Sequence, residues 1–305
     1  MYVTKVTNIG DPQIVLHEGK YYQYATYNDG NVLGICCWVS EDLVNWSDKI
    51  LCLDAGRNHW GYTCFWAPEV VYHNGKFVMT YSAKSKELDS FRIEVATSDS
   101  PTGPFADVHG GPMFDFGYAA IDGSILICDE GNFLYYSRDC GENIVDGYKT
   151  SQIYCIRMND TLTEVVGDPK LVSTPDQEFE MKSATLDHWD IPHIWNEGPC
   201  VIKRGDTYIM NYSTNYYASL DYAIGLSTSK SPWGPWVKSK HNPVISRSEE
   251  FFGAGHNAFF TNKDGELMTA FHIQTDPAHP SGDRTTVIAK VEFVEEDGEL
   301  KQLLI

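Results

Sequence analysis

The chain has 305 residues, 42% of them hydrophobic and 21% charged, with a net charge of −19. That length allows one large domain or two small ones. The acidic balance removes nucleic acid and anionic membrane from the expected partners.

Aromatic residues make up 13%, including 18 Tyr and 8 Trp. They suit strands packing a β core or a carbohydrate-facing pocket. The cysteines (Cys36, Cys37, Cys52, Cys64, Cys128, Cys140, Cys155 and Cys200) show no C-x-x-C spacing. Most lie in apolar strand-like runs, as buried reduced thiols do. No apolar leader precedes the first strand, and no run of about 18 apolar residues occurs. The expectation is a cytoplasmic protein, or a secreted one whose signal peptide has been removed.

In chain order, one frame recurs five times: a landmark residue opens an apolar strand, a Gly-centred turn follows, and an aromatic alternating strand returns. The first copy opens at Asp11, turns at Glu18-Gly19 and returns through Lys20-Tyr21-Tyr22. The second opens around Ala67-Pro68-Glu69, turns at Asn74-Gly75 and returns through Lys76-Phe77-Val78. The third opens at Asp122, turns at Glu130-Gly131 and returns through Asn132-Phe133-Leu134. The fourth opens at Glu197, turns at Arg204-Gly205 and returns through Asp206-Thr207-Tyr208. The fifth opens at His256, turns at Asp264-Gly265 and returns through Glu266-Leu267-Met268. Turns of this type favour hairpins, because their residues tolerate positive φ. A third alternating run follows each hairpin, and no amphipathic helix interrupts the series.

Five antiparallel units on one frame predict an all-β, five-bladed β-propeller occupying residues 1–305 as a single catalytic domain. The first strand of each unit is innermost, so Asp11, Asp122, Glu197 and His256 surround one axial pocket. A plain β-sandwich would not explain why the acids share one place in the frame. Two segments depart from it. Residues 54–65 link the first two units and carry Arg57, His59 and Trp60. Residues 173–194, with Phe179, His188 and Trp189, form a long insertion just before Glu197, and are expected at the pocket mouth as a rim or lid.

Three carboxylates in one pocket are the minimum kit for glycosidic hydrolysis: a protonated acid for the leaving oxygen, an ionised base for water, and a neighbour that separates their pKa values. No G-x-S-x-G elbow, H-E-x-x-H helix, P-loop or dinucleotide fingerprint is present.

The pieces Asp11-Pro12, Asp42-Leu43-Val44-Asn45-Trp46, Trp66-Ala67-Pro68-Glu69, Ile121-Asp122, Glu197-Gly198-Pro199 and Gly255-His256-Asn257 occur in an order and spacing that resembles glycoside hydrolase family 43 over the whole chain. The resemblance implies a five-bladed propeller and an inverting enzyme. It implies Asp11 as general base, Glu197 as general acid, and Asp122 as the residue that raises the pKa of Glu197 and orients it. Trp66 would wall the sugar subsite and Arg284 would approach the sugar. His256 would lie near the axis, where family members often hold a calcium or other ion through water; no cofactor is otherwise required. Inversion predicts Asp11 and Glu197 carboxyls roughly 6.5–9.5 Å apart. Related retaining families begin with Asn-Asp-Pro, whereas Ile9-Gly10 precede Asp11 here.

The expected function is an exo-acting α-L-arabinofuranosidase on plant cell-wall oligosaccharides from arabinan or arabinoxylan. β-D-Xylosidase and endo-1,5-α-L-arabinanase are the alternatives within the class. A propeller that binds carbohydrate without cleaving it is the alternative outside it. The sequence does not specify the oligomeric state.

Overall fold

The computed structural model of the chain describes residues 1–185 and 189–305. Among these residues the regular structure is strand throughout, apart from two short 3-10 turns at Cys140–Glu142 and Glu178–Met181. The strands form the expected five-bladed β-propeller. Blade 1 comprises Ile9–His17, Lys20–Tyr27, Gly34–Ser40 and Ile50–Asp54. Blade 2 comprises Gly61–His73, Lys76–Ser85, Phe91–Ser98 and Ala106–Asp107. Blade 3 comprises Ala120–Cys128, Gly131–Arg138, Tyr148–Met158 and Val165–Ser173. Blade 4 comprises Glu197–Arg204, Thr207–Thr214, Ala223–Ser229 and Val237–Lys238. In blade 5, Gly255–Thr261, Leu267–Gln274 and Arg284–Glu296 are joined by both chain ends: Tyr2–Val3 and Glu299–Leu304 each pair with Arg284–Glu296. The first residues of the chain thereby complete its last blade.

Alternation explains why the blades stack. Along the middle strand of blade 2, Met79 packs toward blade 1 with Tyr24 and Ile35, while its neighbour Val78 packs toward blade 3 with Leu134 and Ile156. In blade 3, Tyr135 continues the pattern against Met210 and Tyr212 of blade 4. The two faces of one strand thus serve two interfaces, and each fully buried large side chain contributes about 1.5–3 kcal/mol. The turns at Glu18-Gly19 and Asn74-Gly75 take positive φ at both residues, as predicted. In blades 3 and 4 the turn lies one residue away from its predicted place, at Asp129-Glu130 and Gly205-Asp206, since Cys128 pairs with Gly131 and Arg204 with Thr207.

Every inner strand carries a bulge at the same place. Gly10 pairs with Thr26 but Gln13 with Tyr24, so the inner strand advances one residue more than its partner. The same shift occurs at Trp66/Glu69, Ile121/Ser124, Glu197/Cys200 and Gly255/Ala258. The residue after each bulge start has positive φ: Asp11, Ala67, Asp122, Gly198 and His256. This corrects the predicted frame. Gly198, not Glu197, is the counterpart of Asp11, Asp122 and His256, and Glu197 occupies the place that Trp66 and Ile121 hold in their own blades. A bulge re-aims side chains, so residues from two successive positions reach the axis.

Candidate active site

The bulges are pinned by a ring of hydrogen bonds between blades. The end of each middle strand presents an acceptor to the backbone N–H of the next blade's bulge. Ala67 donates to Thr26 Oγ1 (2.8 Å), Asp122 to Ser82 Oγ (3.0 Å), Gly198 to Ser137 Oγ (3.1 Å) and His256 to Ser213 Oγ (2.7 Å). Asp11 closes the ring by donating to Nδ1 of His272 (3.1 Å). An aromatic residue precedes each acceptor except Thr26. That repeat is the sequence signal that marks the acceptors.

Above the ring lies a pocket of about 300 Å3. It brings together all six predicted site residues, Asp11, Trp66, Asp122, Glu197, His256 and Arg284. Asp11 accepts from Thr26 Oγ1 at 2.5 Å and from Arg284 Nη1 at 3.2 Å, and His256 Nδ1 lies 3.3 Å away. Burial alone would raise its pKa. The Arg284 guanidinium, then His256 and the Thr26 hydroxyl, outweigh burial and hold Asp11 well below the usual carboxylate range. His272 also lies 3.6 Å from Asp11. Its Nδ1 already accepts a backbone N–H, and burial and Arg284 push its pKa well down, so this contact is with a neutral ring.

Asp122 is buried and accepts from Ser137 Oγ and Gly198 N–H, both at 3.1 Å. Burial, reinforced by the charge of Asp11, raises its pKa to about 6 against the lowering effect of His256. Glu197 goes further. Burial first and the Asp122 charge second push its pKa well above the carboxylate range, with Asp139 and Asp11 adding to the rise. One pocket therefore contains a carboxylate held ionised and a carboxylic acid held protonated, the pairing that acid–base hydrolysis needs.

Apolar walls flank the acids. Trp66 stacks on Phe91 (4.7 Å between centroids) on one side. On the other, Trp189 packs against His193, Trp195 and Tyr216, and Tyr217 lies under the Arg284 guanidinium. Asn28, Asp139, Cys140 and Tyr222 also line the pocket. The sequence offered little signal for these, because each lies on a second or third strand's end or loop.

The insertion reaches the pocket through Trp189 and His193. Its earlier part is anchored by Glu180, whose buried carboxylate accepts from the N–H groups of Asp176 and Gln177, the Asn196 amide and Lys238 Nζ. Phe179 packs into the core between blades 3 and 4, and His188 lies outside the described residues. In the 54–65 segment, His59 binds Asp107 at 2.8 Å and Trp60 donates to Tyr81, which fastens this segment to blade 2 rather than to the pocket.

The axial ion expected beside His256 would be held through water rather than by a cage of side chains. Among the described residues no three His, Cys, Asp or Glu side chains converge on a metal position. Calcium takes six to eight oxygen ligands, whereas His256 offers one imidazole, whose Nδ1 faces Asp11.

The family description "Glycosyl hydrolases family 43" matches residues 5–299. A thermostable family-43 glycoside hydrolase of known crystal structure is 42% identical, with a TM-score of 0.89 over 98% of this chain and 94% of that one. An endo-1,4-beta-xylanase from Bacteroides thetaiotaomicron is 31% identical, with a TM-score of 0.82 over 97% and 94%. An arabinoxylan arabinofuranohydrolase from Bacillus subtilis is 26% identical over 87% of this chain, which spans 56% of that protein.

Proposed function

The chain belongs to glycosyl hydrolases family 43 and is a glycoside hydrolase; from that premise we propose that it is an exo-acting, inverting α-L-arabinofuranosidase that trims arabinan- or arabinoxylan-derived oligosaccharides. The observation that carries the reading is the opposed environments of Asp11 and Glu197 within one aromatic-walled pocket. Asp11, held ionised by Arg284, takes a proton from water as that water attacks the anomeric carbon. Glu197, held protonated by burial and Asp122, gives its proton to the departing oxygen. Water enters on the face opposite the leaving group, so the anomeric configuration inverts.

Exo action is supported by the insertion, whose Trp189 and His193 wall the pocket on the side of Glu197. Arabinose is supported by the Bacillus subtilis relative's name. β-D-Xylosidase is the second reading, favoured by the xylanase neighbour. Release of nitrophenol from the aryl α-L-arabinofuranoside and the aryl β-D-xyloside, with Glu197→Ala beside the wild type, tests this. The ratio of kcat/KM values names the sugar, and proton NMR of the first-formed anomer tests inversion. A retained anomer overturns the mechanism; turnover of neither glycoside, with release of oligomers from arabinan, overturns the exo assignment.

A further inference from the structure

Tyr222 donates its hydroxyl to Oε1 of Glu197 at 2.8 Å. The ring is buried and stacks on His272, 5.5 Å between centroids and 7° from parallel. On its edge, Gly255 leaves no room: a Cβ there would lie 2.0 Å from ring carbons Cδ1 and Cε1. His272 is itself fixed by the Asp11 N–H. Packing therefore sets the position of the phenol oxygen, and the stack Tyr222–His272 spans from the acid to the base.

We propose that Tyr222 is a positioning residue that decides which oxygen of Glu197 carries the proton. By donating into Oε1 it makes that atom the carbonyl oxygen of the acid and leaves the proton on Oε2. During cleavage the proton passes from Oε2 to the glycosidic oxygen, which takes the electron pair of the breaking C–O bond. Tyr222 keeps its own proton and its hydrogen bond then steadies the carboxylate left behind. Burial and the neighbouring Glu197, Asp11 and Asp122 carboxyls keep the phenol well above its ordinary pKa, so it stays a donor throughout. This inference rests on Glu197 being the proton donor.

The test is Tyr222→Phe, which keeps the ring and removes the donor, measured on aryl glycosides of graded leaving-group acidity and on an oligosaccharide. Nitrophenyl substrates, which need little acid help, should lose less than about threefold. The oligosaccharide should lose about 10- to 100-fold in kcat with little change in KM, the worth of one hydrogen bond to a charged group. The alkaline limb of kcat/KM should move to higher pH, because a bond that favours the carboxylate is gone. A fluorinated tyrosine at 222, a stronger donor, should move that limb the other way. Glu197→Ala, run on the same series, separates the premise from the inference. If Glu197→Ala falls equally on all leaving groups, Glu197 is not the donor. If Glu197→Ala is leaving-group dependent but Tyr222→Phe is not, or leaves the limb in place, the role given to Tyr222 is overturned.

Discussion

Gly198 donates its backbone N–H to Oδ2 of Asp122 at 3.1 Å, which ties the residue after Glu197 to the acid whose charge raises the Glu197 pKa. Two effects of Asp122 are thereby separable. Asp122→Asn keeps an oxygen acceptor for Gly198 but removes the charge. The pKa of Glu197 then falls, and the alkaline limb of kcat/KM moves to lower pH. Activity on oligosaccharides at neutral pH should drop by about 10²-fold, within the range for general-acid catalysis, and recover in part as the pH is lowered. Asp122→Ala also removes this acceptor and leaves Gly198 with Ser137 Oγ alone, so its loss should be larger and the added part should not recover at lower pH. Equal losses and pH profiles in the two variants would show that the Gly198 tether adds nothing, and an alkaline limb unmoved from wild type in Asp122→Asn would show that the charge is irrelevant.

Arg284 acts on the opposite limb. Its guanidinium is the largest influence lowering the Asp11 pKa. Arg284→Met should raise that pKa, so the acid limb of kcat/KM moves to higher pH. Gly10 offers an independent route to the same end. A Cβ on Gly10 would sit 2.0 Å from Arg284 Nη2 and 2.2 Å from its Cζ. Gly10→Ala should displace the guanidinium and shift the acid limb in the same direction without altering any ionisable group. An unshifted limb in both variants would show that Asp11 does not need Arg284 to remain ionised.

The propeller was legible because alternation and hairpin turns recur at every blade, and these are properties of consecutive residues. The acids were legible for the same reason: Asp11 and Asp122 open strands whose next turn is marked by Gly. What the sequence concealed was the bulge. An extra residue leaves the alternation on either side intact, so nothing in the pattern shows that Glu197 stands one place earlier than Asp122 in its blade. Tyr222 and His272 were concealed for a different reason. Each looks like an ordinary strand residue, and its role comes from a contact across blades. Arg284 lines the pocket, where a sugar-approaching residue is expected, but its protein partner, Asp11, was hidden because it is 273 positions away.

The insertion should depend on Lys238, which pairs with both Glu180 and Asp176. Lys238 Nζ lies 2.7 Å from Oε1 of Glu180, and the two side chains are 11% and 0% exposed. Removing one partner of a buried pair costs about 3–5 kcal/mol. Lys238→Met should fall at the low end of that range, since three other donors still reach Glu180. Because Glu180 also holds Asn196, next to Glu197, the variant should raise KM for oligosaccharides more than for aryl glycosides, as the Trp189 wall shifts. Urea unfolding and paired kinetics check this. A stability loss with unchanged oligosaccharide KM would separate the ion pair from the rim.

Glu69 supplies a prediction about stability rather than catalysis. It lies three residues beyond Trp66, at a second cavity deeper along the axis that is also lined by Ser124 and Cys200. Burial, with a smaller push from Asp122, raises its pKa to about 8, against the pull of hydrogen bonds from Ser124 and the Ile125 backbone. In the unfolded chain the same group titrates near its ordinary value of 4.5. Between those pH values the folded protein holds a proton that the unfolded chain has released, so stability falls as pH rises through that window, and the whole penalty is present above about pH 8. Glu69→Gln cannot ionise and escapes the penalty. Its urea midpoint should match the wild type at pH 4 and exceed it at pH 9. An equal midpoint at pH 9 would mean that Glu69 ionises in the fold without cost.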